Sequence, residues 1–373
     1  MSEREAESVA SSGSAQLTVR LGALAANYRE VRRRAANVAV APVVKADAYH
    51  VGMVPVAKAL AAEGADSFFV ARAEEGIELR KLLPGARIFI FDGVAPGSAG
   101  ALIAHRLTPV LNSPDDIAAW SNAARGHKAE LDAALHVDTG MNRLGLSKSD
   151  VADLAGNARR ALSGIRLSLI MSHLACADEP ERTENRRQLE RFRAALAALP
   201  AAPASLAASA GIELGREYLF DMVRPGLAIY GGNPIAFRPN PYRTVAVLSS
   251  RVLQIRTLEP GETVGYAAIF SAVRPTILAI VAHGYADGLI RASSGRGRAA
   301  MGGVLVPYAG RISMDLLALD VTDLPEHLRR RGAEVEFIGD TISLQDAAEA
   351  AGTIAHEVLT SISSRARRVY LEG

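Results

Sequence analysis

From residue 38 to residue 232 the chain repeats one pattern. A short apolar run rich in β-branched residues is followed by a polar turn and then an alanine-rich amphipathic stretch. The runs predicted as strands are Val38–Val44, Ser67–Val70, Arg87–Phe91, Thr108–Leu111, Ala134–Val137, Arg166–Ser172, Ala204–Ala208 and Met222–Tyr230. The stretches predicted as helices are Val54–Glu63, Ala73–Leu83, Pro114–Arg125, Lys148–Arg160, Glu184–Leu199 and Gly211–Phe220. Ser113-Pro114 is a good helix start, a hydroxyl cap followed by proline where no amide donor is needed. The stretch Ala95–His105 has helical spacing but no clear helix signal. Strands alternating with helices, in units of about 25 residues, point to parallel βαβ units. Eight units fit an α/β fold of the (β/α)8 TIM barrel type. An open doubly wound sheet would carry a glycine-rich fingerprint after its first strand. Here that strand runs into Lys45-Ala46-Asp47-Ala48-Tyr49.

The texture changes after Gly232. Asn233 to Tyr242, rich in proline and asparagine, reads as a linker. Short alternating segments follow at Val245–Ile255, Thr263–Tyr266, Ile277–His283, Gly303–Pro307, Leu316–Asp320 and Glu334–Ile338, punctuated by glycine and proline. They predict a smaller, mostly β domain. Ser293 to Gly303 reads as a flexible basic hairpin or loop. The expected division is a disordered tail at 1–14, the barrel at 15–235 and the β domain at 236–373. Residues 16–21 alternate like a strand able to pair with the C-terminal domain.

Composition narrows the function classes. Lysine plus arginine number 42 against 40 acidic residues, so charge alone gives no case for a nucleic-acid or membrane-surface partner. The longest apolar runs, such as Ile277 to Ala282, are too short to span a bilayer. Met1 to Ala15 lacks an apolar core and does not read as a signal peptide. The single cysteine, Cys176, has no internal partner and reads as a structural thiol in a reducing compartment. A cytoplasmic address is therefore expected. His105, His127 and His283 show no metal-ligand spacing, so no metal site is expected.

A barrel enzyme keeps its working groups at the C-terminal ends of its strands. Lys45 follows the first strand, and Arg143 follows the fifth after the turn Asp138-Thr139-Gly140-Met141-Asn142. His173 follows the sixth and Ser209 the seventh, while Arg224 and Gly226 belong to the eighth. Alone, Lys45 reads as an ordinary solvent-facing lysine, and Arg143 and His173 as ordinary salt-bridge or capping residues. The combination at successive strand ends changes the balance. An amine closing the apolar run Val43-Val44 is poorly hydrated, which lowers its pKa and frees it for Schiff-base chemistry. The loops after strands seven and eight are the usual phosphate site of such barrels. A Schiff-base lysine beside a phosphate site suggests pyridoxal phosphate.

Seven segments carry a resemblance: Val43–Tyr49, Val137–Gly145, Met171–Ala175, Met222–Gly231, Val264–Ala268, Gly284–Gly288 and Gly310–Asp315. In this order they resemble the alanine racemases, from about Leu17 to Tyr370. The resemblance implies a pyridoxal 5'-phosphate enzyme of fold type III that interconverts L- and D-alanine by a two-base mechanism. Its product serves peptidoglycan supply or D-alanine breakdown. It implies that Lys45 holds the cofactor and is the base on the D-face, with Tyr266 the opposite base. Arg224 would donate to the pyridine nitrogen. Arg143 would bind the phenolic oxygen and the substrate carboxylate. Tyr49, Ser209 and the backbone near Gly226 and Leu227 would hold the phosphate, with His173 against the cofactor ring. Met314, Tyr285 and Asp315 would meet the substrate. Tyr266, Tyr285 and Met314 would come from the other subunit of a homodimer.

The roles make physical sense. Racemisation needs a base on each face of a planar carbanion. Guanidinium keeps its proton, so Arg224 would leave the ring a weaker electron sink than a carboxylate partner would. That favours simple proton exchange over side reactions.

The chain departs from the family pattern at several places. It has Tyr49-His50-Val51-Gly52 where relatives read Tyr-Gly-His-Gly. It has His136 where most relatives carry a lysine, often carbamylated, and Ala208 where asparagine is frequent. It has His356 where a phosphate-contacting tyrosine is common. A broader racemase acting on serine or basic amino acids is the neighbouring alternative. A barrel-type amino-acid decarboxylase pairs the pyridine nitrogen with a carboxylate, which Arg224 argues against. A pyridoxal-phosphate carrier protein would lack the C-terminal domain that holds Tyr266.

Overall fold

The computed structural model describes residues 15–36, 38–127 and 130–372. The tail expected at 1–14 lies outside the described residues. The chain enters through β1 (Gln16–Arg20) and α1 (Leu21–Arg34). The helix was not foreseen, because four arginines crowd its C-terminal half and its apolar stripe is narrow. Its buried face is Leu21, Leu24, Asn27, Tyr28 and Val31, a spacing of three and four that lays one narrow stripe on the core.

The barrel follows. β2 (Ala39–Val40) is the first wall strand. Then come β3 (Ser67–Val70), β4 (Arg87–Ile90), β5 (Thr108–Leu111), β6 (Leu131–His136), β7 (Ile165–Met171) and β8 (Ala204–Ser205), parallel and side by side in chain order. β9 (Met222–Val223) pairs in parallel with β2. Two bridges complete the ring: Val43 with Phe69, and Ala208 with Arg224. The amide hydrogen bonds Val44 N to Phe69 O and Arg224 N to Ala207 O, each 2.9 Å, join the same seams. Every residue of β3 and β5 is buried, as expected of strands packed on both faces. The expected (β/α)8 barrel is therefore what the wall forms.

Outside the wall lie α2 (Met53–Ala62), α3 (Ala73–Leu82), α4 (Ala99–Ala104), α5 (Pro114–His127), α6 (Lys148–Ala161) and α7 (Thr183–Ala198). The amide of Asp116 donates to Ser113 Oγ at 3.1 Å, the cap expected at that helix start. Two readings need correction. The strand expected over Met222–Tyr230 stops at Val223. Pro225 has no amide to continue a ladder, and the next residues form a turn with Ile229 N on Gly226 O and Tyr230 N on Leu227 O. The helix expected over Gly211–Phe220 breaks into α8 (Ser209–Ile212) and a 3-10 turn, Arg216–Tyr218. Gly215, at φ 112°, is the break.

The remaining sheet gathers β10 (Ala246–Leu258), β13 (Thr276–Val281), β14 (Arg298–Met301), β15 (Val304–Pro307), β16 (Leu317–Asp320), β17 (Glu334–Ile338) and β18 (Arg367–Leu371). A separate hairpin is made by β11 (Thr263–Val264) and β12 (Phe270–Ser271). β1 lies inside this sheet, antiparallel to β10 and parallel to β18. The segment expected as a basic hairpin or loop at 293–303 contains β14, which turns through Gly302-Gly303 into β15 and so forms a hairpin. Two helices not foreseen, α9 (Leu344–Ala351) and α10 (Ala355–Ser361), cover the domain, and α10 carries His356.

Candidate active site

The chain leaves the first barrel strand through an unusual turn. Ala46, Asp47, Ala48, Tyr49 and His50 all have left-handed φ, between 51° and 63°. For residues with a Cβ this costs roughly 1–2 kcal/mol each, so the surroundings must hold the segment. Glu75 does so from one side, accepting from Ala46 N at 2.6 Å and Ala71 N at 2.8 Å. Asp47 Oδ1 accepts from Met53 N at 2.7 Å. The C-terminal segment holds the other side: Arg368 donates twice to His50 O, at 2.8 and 3.2 Å. The His50 ring lies 3.2 Å, through Nδ1, from Ile362 O. His50 thus keeps the left-handed geometry that a glycine would take freely.

The turn aims Lys45 into the barrel mouth, its Nζ 5.8 Å from the Phe91 ring centre. Burial first, and Arg143 second, lower the Lys45 pKa, while Glu75 and Asp92 oppose them. Its amine is more readily neutral than an exposed lysine. The turn also buries Tyr49, whose ring lies 4.6 Å from that of Tyr230 and 5.9 Å from that of His356. Tyr230 is fixed in turn by its hydroxyl on Val43 O at 2.9 Å. A Cβ at Gly226 would sit 2.2 Å from the Tyr49 hydroxyl oxygen, so only glycine leaves room for it.

Ser209 is buried beside the same loop, its Oγ accepting from Gly226 N at 3.0 Å and Ala228 N at 3.2 Å. Leu227 between them is buried. Hydroxyls and amides thus meet at the ends of strands seven and eight.

Arg224 is 2% exposed. It donates to Ser205 Oγ at 2.5 Å and to Ser172 O at 2.6 Å, and its Nη2 stands 3.5 Å from His173 Nδ1. No carboxylate pairs with it among the described residues. Burial pushes its pKa down to about 9, which leaves it charged at neutral pH. His173 is pushed down to about 3 by burial, then by Arg224 and Arg143, so it is neutral.

Arg143 is exposed on a turn shaped by Asp138, whose Oδ1 accepts from the amides of Gly140, Met141 and Asn142. The turn closes where Asp138 N meets Leu146 O at 2.9 Å, returning Arg143 to the barrel rim. Arg143 lies within electrostatic reach of Lys45, and His173 lies within reach of Arg224, Arg143 and Lys45.

The remaining expected residues gather elsewhere on the same chain. Tyr285 N bonds Ser313 O at 3.1 Å, and Ala286 N bonds Met314 O at 3.0 Å. Asp315 pairs with Arg365 at 2.8 Å, which also meets Asp287 at 3.3 Å. Gly310 lies close under Val264 O, next to Gly265 and Tyr266. Tyr266 is 68% exposed, Met314 53% and Tyr285 40%, on the same domain as exposed Ile269 and Val273. No described hydrogen bond, ion pair or ring contact joins them to Lys45, Arg143 or Arg224 within the chain.

Glu75, Phe91, Asn112, Ser172, Ser205 and Arg368 were not singled out from sequence. Each acts through a contact that only the closed barrel or the domain junction creates. Tyr230 stood in a quoted motif but had no role assigned.

A family model, alanine racemase N-terminal domain, matches residues 19–234, and alanine racemase C-terminal domain matches residues 245–370. The chain is 48% identical over 363 residues to an alanine racemase of Methylobacterium nodulans, covering 97% of this chain and 98% of that protein. It is 45% identical to a catabolic alanine racemase of Agrobacterium fabrum, covering 98% of this chain and 94% of that protein. A crystal structure of alanine racemase from Bartonella henselae with covalently bound pyridoxal phosphate superposes with a TM-score of 0.93. It is 36% identical, and the match covers 96% of this chain and 99% of that one. The chain belongs to the alanine racemase family.

Proposed function

We propose that this protein is an isomerase that interconverts L- and D-alanine with pyridoxal phosphate, using Lys45 and Tyr266 as opposed bases in a homodimer with shared sites. The observation that carries this reading is a poorly hydrated amine, Lys45, in the same mouth as a buried guanidinium, Arg224, that has no carboxylate partner among the described residues.

The residues present fit the cofactor. Tyr49, Ser209 and the backbone at Gly226 and Leu227 would hold its phosphate, His173 would lie against its ring, and His356 borders the same pocket through Tyr49. Arg224 would donate to the pyridine nitrogen, and Lys45 would bind it covalently through Nζ. When bound, pyridoxal phosphate supplies the electron sink that makes the substrate α-carbon acidic. Arg224 keeps its proton and so leaves that sink weaker than a carboxylate would, which favours return of the proton to carbon.

Lys45 Nζ holds and moves the proton on one face. Tyr266 Oη does so on the other, since one base does not reach both faces of a planar centre. Arg143 would bind the substrate carboxylate, with the Met314 amide, Tyr285 and Asp315 brought to it by the other subunit. Tyr266, Tyr285 and Met314 stand exposed on one domain beside apolar Ile269 and Val273, as suits groups supplied to a partner's barrel. No helix among the described residues is long and apolar enough to cross a membrane.

The test is a racemisation assay on purified protein with added pyridoxal phosphate. L-alanine is expected to yield D-alanine faster than serine or lysine is racemised. A higher rate with serine or lysine would overturn the alanine assignment, and carbon dioxide release would overturn the reaction class.

A further inference from the structure

The buried face of α7 carries Leu189, Phe192 and Ala195, and with them two amides, Asn185 and Gln188. Residues three apart on a helix are surface neighbours, so Asn185, Gln188 and Arg191 form one polar stripe. All three reach the loops that leave the ends of β6 and β7. Asn185 Nδ2 donates to Cys176 O and to Glu179 O, both at 3.0 Å. Arg191 Nη1 donates to Thr139 O at 3.0 Å. Gln188, between them, spans both loops.

Its Nε2 donates to His173 O at 2.9 Å and to Thr139 Oγ1 at 3.1 Å, and its Oε1 accepts from Ala175 N at 2.8 Å. A flipped amide would press its oxygen against the His173 carbonyl and its NH2 against the Ala175 amide, so the orientation is forced. Thr139 Oγ1 also lies 2.8 Å from Ser172 Oγ, and both residues are buried. Ser172 O accepts from Arg224 at 2.6 Å, and Arg224 Nη2 stands 3.5 Å from His173 Nδ1. The backbone on which His173 and the Arg224 acceptor sit is therefore held from outside the wall by one side chain. A methionine would fill the space of Gln188 without the cost of burying an amide. It would leave the His173 carbonyl and the Ala175 amide without this partner.

We propose that Gln188 is a positioning residue for His173, fixing the backbone at residues 173 and 175 so that the imidazole stays beside Arg224 and against the cofactor ring. The inference rests on the proposed role of His173. Ser172, which holds Arg224, is the next residue in the same loop. A shift of this loop would thus disturb the group against the ring and the donor to the pyridine nitrogen together. The effect belongs to binding of the cofactor.

The test compares Gln188→Met and Asn185→Leu with the parent. Methionine matches the length of glutamine without its donors and acceptor, whereas Asn185→Leu loosens the same loop beyond His173, at Cys176 and Glu179. In Gln188→Met the affinity of the apoprotein for pyridoxal phosphate, read by absorbance, is expected to fall about tenfold, as loss of buried partners implies. Asn185→Leu is expected to stay within about threefold of the parent. Hydrogen exchange of the apoproteins gives a second measurement: amides in 171–177 are expected to exchange at least about tenfold faster in Gln188→Met than in the parent. Should Gln188→Met fail to fold, Gln188→Glu, which keeps an acceptor for Ala175 N and loses the donor to His173 O, takes its place with the same expectations. Equal losses of affinity at positions 185 and 188, parental affinity at position 188, or unchanged exchange over 171–177 would overturn the inference. A parent that takes up no pyridoxal phosphate would instead defeat the functional reading, and the exchange measurement would still decide whether Gln188 holds the His173 loop.

Discussion

The Tyr49 hydroxyl occupies the space that a side chain at position 226 would need: a Cβ on Gly226 would stand 2.2 Å from its oxygen. The left-handed turn after Lys45 and the loop after the eighth strand are thereby fitted to each other. Gly226→Ala must push the phenol out of this place or shift the loop, at a cost of about 1–3 kcal/mol for overpacking. Because both groups border the proposed phosphate site, the affinity for pyridoxal phosphate is expected to fall at least about tenfold. Titration of apoprotein with cofactor, read by absorbance, checks this. An unchanged affinity would mean that Tyr49 does not help to form the phosphate site.

Tyr266 is 68% exposed in the single chain, so Tyr266→Phe is expected to leave stability within about 0.5 kcal/mol of the parent. Turnover is expected to fall by about 10²–10⁴-fold, the usual worth of a positioned acid–base group. Lys45→Ala is expected to be inactive as well. If each site combines Lys45 of one subunit with Tyr266 of its partner, subunits of the two variants that exchange should regain about a quarter of the parental activity, one intact site in each mixed dimer. A mixture as inactive as its components, after exchange is shown by mass spectrometry, would contradict the shared site.

The barrel was legible because its wall strands are short, apolar runs bounded by polar turns; β3 and β5 begin and end where their sequences say. Among the candidate site residues, Lys45 and His173 were legible because each directly follows such a run. The eighth strand was overread, since apolar Leu227, Ala228, Ile229 and Tyr230 are buried in a turn and not in a ladder. Periodicity does not tell those two kinds of burial apart. α1 was missed because its polar surface outweighs its narrow buried stripe. The partners that hold the site, such as Glu75 on Ala46 N or Arg368 on His50 O, are brought in from other parts of the chain by tertiary contact. No local pattern marks them.

His283 is fully buried against Phe337, with ring centres 4.5 Å apart, and neither ring nitrogen has a hydrogen-bond partner among the described residues. Burial, and then Arg365, push its pKa down to about 3, below the ordinary value of 6.5. The unfolded chain therefore takes up a proton first as the pH falls. The stability tied to the neutral ring is present above about pH 6.5 and is lost progressively toward about pH 3, by about 1.4 kcal/mol per pH unit. His283→Leu removes both the unpaired group and this titration. It is expected to add about 1 kcal/mol at pH 7, with an advantage that widens as the pH falls. Melting temperatures from pH 8 to pH 5 check this; parallel curves for variant and parent would contradict it.

The proposed activity depends above all on covalent attachment of the cofactor at position 45. Borohydride reduction of the holoenzyme, followed by peptide mapping by mass spectrometry, tests this most directly. The expected result is loss of the visible absorbance together with a phosphopyridoxyl group on the peptide that contains Lys45. A modified peptide that excludes Lys45, or a protein that stays colourless and unmodified with excess pyridoxal phosphate, would contradict it.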